Sequence, residues 1–190
     1  TDYHSHLGTE FGGLAVLGEH FERQIHNISQ SQFKSKFFDD YKRMKGNKGI
    51  GVISDSDEQP IYLNCKFGPF CLVTTGFIEN KKELMEKLFK EGHSFTEFEK
   101  DSVNQTELVA KLISLGEDVV DGIEKMFVEI RGSCSLLLLN KDGVYVARDR
   151  FGYTSLVLGR SKDGVAVSTE SSALPNLGFE LARFLGPGEI

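Results

Sequence analysis

Ser133-Cys-Ser-Leu-Leu-Leu-Leu139-Asn-Lys-Asp-Gly143-Val-Tyr-Val-Ala-Arg148 holds two apolar runs on either side of an Asp-Gly turn. A second turn, Lys162-Asp-Gly164, leads into Val165–Ser168. Turns this tight join neighbouring strands and force them to pair antiparallel. This last third of the chain therefore predicts hairpins. Upstream of it the pattern changes to helical spacing. Val119, Val120, Ile123, Met126, Phe127 and Ile130 fall on one helical face. Asn104-Gln-Thr-Glu107 has the form of a capping box before Leu108, Val109, Leu112 and Ile113, and Asn80-Lys-Lys-Glu83 has the same form before Leu84, Met85, Leu88 and Phe89. Helices in the middle with hairpins at the end predict an α+β fold rather than a parallel α/β sheet.

Further upstream, Gly12–Leu17 and Phe21–Ile28 predict strands around the Gly18-Glu19-His20 turn. Phe33, Phe37, Phe38, Tyr41 and Met44 predict a helix, with Ser29 or Ser31 as its cap. Gly49–Ile53 and Phe70–Val73 predict buried strands. The chain has 190 residues, 39% hydrophobic and 26% charged, which is enough to bury a core in one domain. Its net charge of −6 argues against wrapping a nucleic-acid duplex. No apolar run is long enough to span a membrane. The three cysteines, Cys65, Cys71 and Cys134, form no paired framework and predict reduced thiols in the cytoplasm. The opening Thr1–Leu7 without methionine and the closing Gly186-Pro-Gly-Glu-Ile190 predict a piece of a longer protein.

Several residues carry candidate chemistry. His4 and His6 would share one side of a strand as metal ligands but diverge in a helix, and no Cys, Asp or Glu at ligand spacing completes a site. Neither a metal nor a cofactor is expected. Thr1 would be an N-terminal nucleophile only if its number marks a mature terminus. Gly8-Thr-Glu-Phe-Gly-Gly13 is a Gly-rich turn but has neither phosphate-loop pattern. Arg148-Asp149-Arg150-Phe151-Gly152 is either an ion-paired active-site loop or a charged turn at a strand end, and Cys134 sits in a core strand.

An ordered set of segments resembles the class II glutamine amidotransferase domain, with the amidophosphoribosyltransferases of purine synthesis as the nearest group. The segments are Gly8–Ala15, Gly46-Asn-Lys-Gly-Ile-Gly51, Gln59-Pro60, Leu72–Asn80 and Asn104–Glu107. They continue with Arg148-Asp149, Gly152, Leu156–Gly159, Glu170-Ser171, Ala173-Leu174, Leu177-Gly178 and Gly186–Ile190. The resemblance implies an N-terminal-nucleophile hydrolase fold: a four-layer αββα sandwich of two antiparallel sheets, with the first strand missing from this chain. It implies one domain over 1–190, followed in a longer protein by a phosphoribosyltransferase-like domain. The family's nucleophilic cysteine corresponds to a position upstream of Thr1, and none of Thr1, Cys65, Cys71 and Cys134 matches it.

The resemblance also assigns the substrate pocket, and there the chain departs from the family. The arginine that grips the glutamine carboxylate corresponds to Ser54, followed by Asp55. The oxyanion-hole Asn corresponds to Thr75, between Thr74 and the retained Gly76. The aspartate that pairs with the glutamine ammonium corresponds to Gln105, and a further arginine corresponds to Leu7. A hydroxyl cannot replace a bidentate guanidinium, and losing one oxyanion donor costs on the order of 10²–10³ in rate. The expectation is a glutaminase-like domain degenerate for glutamine hydrolysis and kept for structure or regulation. Two alternatives stand beside it: an active amidotransferase using an upstream cysteine, and a module binding another small molecule at Ser54, Asp55, Thr74, Thr75 and Gln105. The partners implied are L-glutamine or another small molecule, the phosphoribosyltransferase-like domain and further copies of the chain. Nucleic acid and membrane are not among them.

Overall fold

A computed structural model describes residues 10–96, 98–99 and 102–190. Thr1, His4, His6, Leu7 and the start of the Gly-rich turn lie outside the described residues. The first sheet has the order β2-β1-β3, built from β1 (Phe11–Leu17), β2 (Phe21–Asn27) and β3 (Lys48–Ser54), all antiparallel. Between β2 and β3 run the short helices α1 (Phe33–Lys36) and α2 (Phe38–Arg43). The single helix expected over Phe33–Met44 is thus broken at Phe37. Phe37 turns inward and stacks on Phe33 at 4.2 Å, while Phe38 is left at the surface under the Lys42 ammonium. The helix is entered at Gln32 without a side-chain cap, so neither Ser29 nor Ser31 caps it.

The second sheet has the order β4-β5-β8-β9, from β4 (Ile61–Cys65), β5 (Gly68–Ile78), β8 (Gly132–Leu139) and β9 (Val144–Ala147). Helices α3 (Lys81–Lys90), α4 (Gln105–Ser114) and α5 (Val119–Glu129) cover its outer face, and the small β6 (Phe98–Glu99) and β7 (Ser102–Val103) ribbon precedes α4. The two predicted hairpins form, β8–β9 through Asn140–Gly143 and β10 (Val157–Ser161) to β11 (Gly164–Ser168) through Lys162-Asp163. With α6 (Ala173–Asn176) and β12 (Glu180–Phe184), the latter pair makes a third sheet, β11-β10-β12.

Period-two alternation explains the layers. Along β5, Phe70, Leu72 and Ile78 face α3–α5, where they join Leu108, Leu112, Ile123 and Met126. Cys71 and Val73 face the first sheet and meet Ala15, Ile50 and Leu139. Leu14 and Ile53 on the far face of the first sheet pack against Phe33 and Phe37. The result is α1–α2, sheet, sheet, α3–α5: the expected αββα sandwich, with a third sheet beside it. Of the two predicted capping boxes, Asn104 accepts from the Thr106 and Glu107 amides. Asn80 does not cap α3: its side chain bridges to the Glu129 carbonyl and the Arg131 amide. No helix among the described residues is long and apolar enough to cross a membrane.

Candidate functional site

A groove of ≈ 440 Å³ opens between the sheets, along β3, the middle of β5 and β8 and the end of β11. Consecutive residues Gly49 to Ile53 line it. Since alternate side chains of a strand point to opposite faces, backbone as well as side chains lines the groove along this run. That agrees with β3 and β11 being the end strands of their sheets. Val73, Leu137, Leu156 and Val167 add aliphatic walls, and Thr75, Ser135, Ser168 and Thr169 add hydroxyls. Two carboxylates line it, Asp55 just past the end of β3 and Glu170 just past the end of β11, and no Lys, Arg or His does among the described residues.

The structure brings Asp55, Thr74 and Thr75 to this groove. The Thr74 hydroxyl, however, points to the helical side and pairs with the Thr106 hydroxyl at 2.6 Å. Thr75, one residue on, takes the opposite face and is exposed. Ser54, Gly76 and Gln105 are not among the lining residues. Ser54 Oγ accepts from the Asp57 amide at 3.0 Å, a local turn of the loop. Gln105 is buried and spends both ends of its amide on β5: Oε1 accepts from the Ile78 amide and Nε2 donates to the Gly76 carbonyl, each at 3.2 Å. Gly76 itself has φ +131°, and a Cβ there would lie 2.2 Å from the Ser133 carbonyl oxygen.

The loop between β3 and β4 is fastened from several sides. Asp57 Oδ2 accepts from the Gln105 amide at 2.9 Å, at the positive end of α4. Burial pushes the Asp57 carboxyl above its usual range, against the amides of Gln105 and Thr106 and the charge of Lys81. Asn104 Nδ2 donates to the Glu58 carbonyl. The Gln59 side chain continues the β4–β5 ladder: Oε1 accepts from the Thr74 amide at 2.8 Å and Nε2 donates to its carbonyl.

The charged segment Arg148–Gly152 is a structural turn. Arg148 donates to the carbonyls of Thr154, Leu185 and Gly152. The buried Asp149 accepts from the amides of Phe151, Tyr153 and Thr154 and from Ser135 Oγ, and its own amide donates back to Ser135 Oγ at 2.9 Å. Burial would raise its carboxyl, but these bonds outweigh burial and hold it below the ordinary value. Cys71 and Cys134 are pushed up to about 12 by burial, so neither offers a thiolate. Among the described residues no group of His, Cys, Asp and Glu is arranged to hold a metal. Ser135, Ser168, Thr169 and Glu170 were not read from the sequence as groove residues. Only Glu170 carried a signal, in the Glu-Ser pair.

A family model described as a glutamine amidotransferase domain matches residues 47–176. Among curated proteins, the amidophosphoribosyltransferase of Methanocaldococcus jannaschii is 30% identical over 97% of this chain and 41% of its own length. That of Pasteurella multocida is 31% identical over 97% of this chain and 40% of its own. A solved glutamine phosphoribosylpyrophosphate amidotransferase from B. subtilis, complexed with ADP and GMP, superposes with TM-score 0.83 at 21% identity, over 98% of this chain and 42% of that one. The chain thus spans about two fifths of the length of the relatives it matches.

Proposed function

Since the chain belongs to the glutamine amidotransferase domain family, we propose that it is the glutaminase-type domain of an amidophosphoribosyltransferase-like protein of purine nucleotide synthesis, and that it no longer hydrolyses glutamine efficiently. In this reading a phosphoribosyltransferase-like domain follows it in the full protein. The domain serves that neighbour as scaffold or regulator, in the cytoplasm, and the transferase takes free ammonia.

The observation that carries the proposal is the commitment of the two side chains that would grip the ends of the amino acid. Ser54 is turned into its own loop and Gln105 is consumed by β5. No described cation lines the groove to receive a carboxylate. Thr75 lines the groove; on this reading it stands at the position of the family's oxyanion Asn, and its hydroxyl is too short to reproduce an amide donor at the same distance. A nucleophile-bearing strand upstream of the described residues would pair along the open edge of β3. Even with a cysteine in place there, the substrate would lack both of its charged contacts.

The test is ammonia release from L-glutamine by the full-length protein with its native N-terminus, with and without phosphoribosyl pyrophosphate. Background-level release, with ammonium salts still supporting phosphoribosylamine formation, is the expected result. Glutamine-dependent release well above background refutes the loss of glutaminase activity.

A further inference from the structure

We propose that the protein associates head to tail with a second copy of itself, the α1–α2 layer of one copy seating on α5 of the next. The inference concerns the outer surfaces and does not depend on the reading of the groove. It starts from how charge is placed along the chain. Residues 34–48 hold six basic residues against two acidic ones, Asp39 and Asp40. Residues 117–129 hold five acidic residues against one basic one, Lys125. The first segment builds α1 and α2, the second builds α5, and these are opposite outer layers of the αββα sandwich. In a chain of net charge −6, the domain is therefore polarised across its thickness.

The basic layer is not neutralised from within. Asp40 is buried and is taken by His26 and Arg43. Lys34, Lys36, Lys42 and Lys45 meet no carboxylate among the described residues: Lys45 donates to the Lys42 carbonyl, and the Lys42 ammonium lies 3.4 Å above the Phe38 ring. On the acidic side, Glu117, Asp121 and Glu129 form surface pairs with Lys66, Lys125 and Lys87. Such pairs contribute little and are screened by water. The exposed Glu124 has no partner, and Asp118 serves only the Asp121 amide.

Both layers also offer apolar area beside their charges. Phe38 and Tyr41 are 45% and 53% exposed and meet edge to face at 5.8 Å. On α5, Val120, Glu124 and Val128 follow at four-residue spacing on the solvent side, and Val128 is 75% exposed. Aromatic rings bordered by ammonium groups thus match valines bordered by carboxylates, in sign and in hydrophobicity. A nucleic acid or another acidic chain would satisfy the lysines alone, whereas a second copy satisfies the rings as well. The contact joins two different surfaces, so each pair of copies keeps one free layer at either end and association can continue.

The experiment is sedimentation velocity of the full-length protein over a range of concentrations, at about 10 mM and about 1 M sodium chloride, between which the screening length falls from about 30 Å to about 3 Å. The expected result is a mass that grows with protein concentration at low salt and falls back to a constant value at high salt. Two double variants divide the contact. Lys34→Glu with Lys42→Glu reverses the basic layer, and Glu124→Lys with Val128→Lys reverses the α5 stripe. Each alone should lose the low-salt growth at a melting temperature near that of the parent, since all four side chains are exposed. An equal mixture of the two should regain association, because the first keeps an intact α5 and the second an intact α1–α2 layer. Constant mass of the parent at low salt overturns the proposal, whatever the variants do. So does growth retained by either folded variant, or a mixture that fails to associate. A parent that keeps its high-salt mass but binds added polyglutamate or a single-stranded oligonucleotide also overturns it, since the basic layer then takes a different partner.

Discussion

Replacing Asp149 by Asn tests whether the turn beside the groove is held by a buried charge. The carboxylate receives three backbone amides, from Phe151 and Tyr153 on Oδ1 and from Thr154 on Oδ2, plus the Ser135 hydroxyl. An Asn amide keeps one acceptor oxygen and sets an NH2 group against N–H or O–H donors. Hydrogen bonds to a charged group contribute about 1.5–3 kcal/mol each, and a buried donor left unpaired costs about 1–3 kcal/mol. Some of these bonds survive on the remaining oxygen, so the net loss is on the order of 3–4 kcal/mol. Against the roughly 5–15 kcal/mol that a domain has in total, this is a severe lesion.

Urea unfolding at pH 7 reads that loss as a lower midpoint at unchanged slope. The pH dependence gives a second reading. The folded carboxyl lies below its ordinary 3.8, so the unfolded chain takes up a proton first as pH falls. The contribution of Asp149 to stability is therefore complete above the unfolded value and is lost as pH falls through the folded one. Asp149→Asn should flatten that acid limb. A loss below about 1 kcal/mol at pH 7, or an acid limb identical to that of the parent, refutes the assignment.

Three further outcomes follow from the same geometry. Gln105→Ala should cost about 2 kcal/mol of stability, because the Ile78 amide and Gly76 carbonyl lose their partner, and a thermal melt that does not move would mean that Gln105 is free to serve a ligand instead. Gly76→Ala should cost at least about 2 kcal/mol, since φ +131° excludes a side chain and the new Cβ would collide with the Ser133 carbonyl; a stability within experimental error of the parent counts against this backbone. Of the thiols, only the half-exposed Cys65 should react with a disulfide reagent in the native state at pH 8, and slowly, because burial raises it too, while all three react in denaturant; rapid native labelling of Cys71 or Cys134 would contradict their burial.

The elements legible in the sequence are those whose burial imposes a period. α4 and α5 present apolar faces to one sheet, and β8 and β9 are joined by a turn of specific chemistry. β12 escaped because all five of its residues are exposed, so Glu180–Phe184 has no inside-outside alternation to detect. β4 escaped for a different reason: it does alternate, with Ile61, Leu63 and Cys65 packed on the core and Tyr62 and Asn64 exposed, but the outward Tyr62 is aromatic, so its solvent face does not read as polar. The break at Phe37 was hidden because three phenylalanines so close together satisfy one helix as well as two.

In the site, the resemblance could number the positions but not aim the side chains. Thr74 and Thr75 are adjacent and chemically identical, yet the strand sends one hydroxyl to α4 and the other to the groove. Ser54 and Gln105, which the resemblance assigns to the pocket, do not line the groove, and the hydrogen bonds that consume them come from Asp57, Gly76 and Ile78, which no motif singles out.

Gln59 links the two sheets in a way that bears on how this sequence can vary. Its side chain is bound to the backbone of Thr74 in one sheet, while its carbonyl oxygen lies where a Cβ on Gly13 in the other would stand, 1.7 Å away, with the Pro60 ring at 2.6 Å. Glycine is therefore required at position 13 only as long as the Gln-Pro corner exists. The corner in turn keeps its place only as long as Thr74 offers an unpaired amide and carbonyl. Single changes at 13 or 59 are disfavoured, while a joint change is open. In an alignment of homologues the two positions should drift together, with larger residues at 13 confined to chains whose corner has been rebuilt.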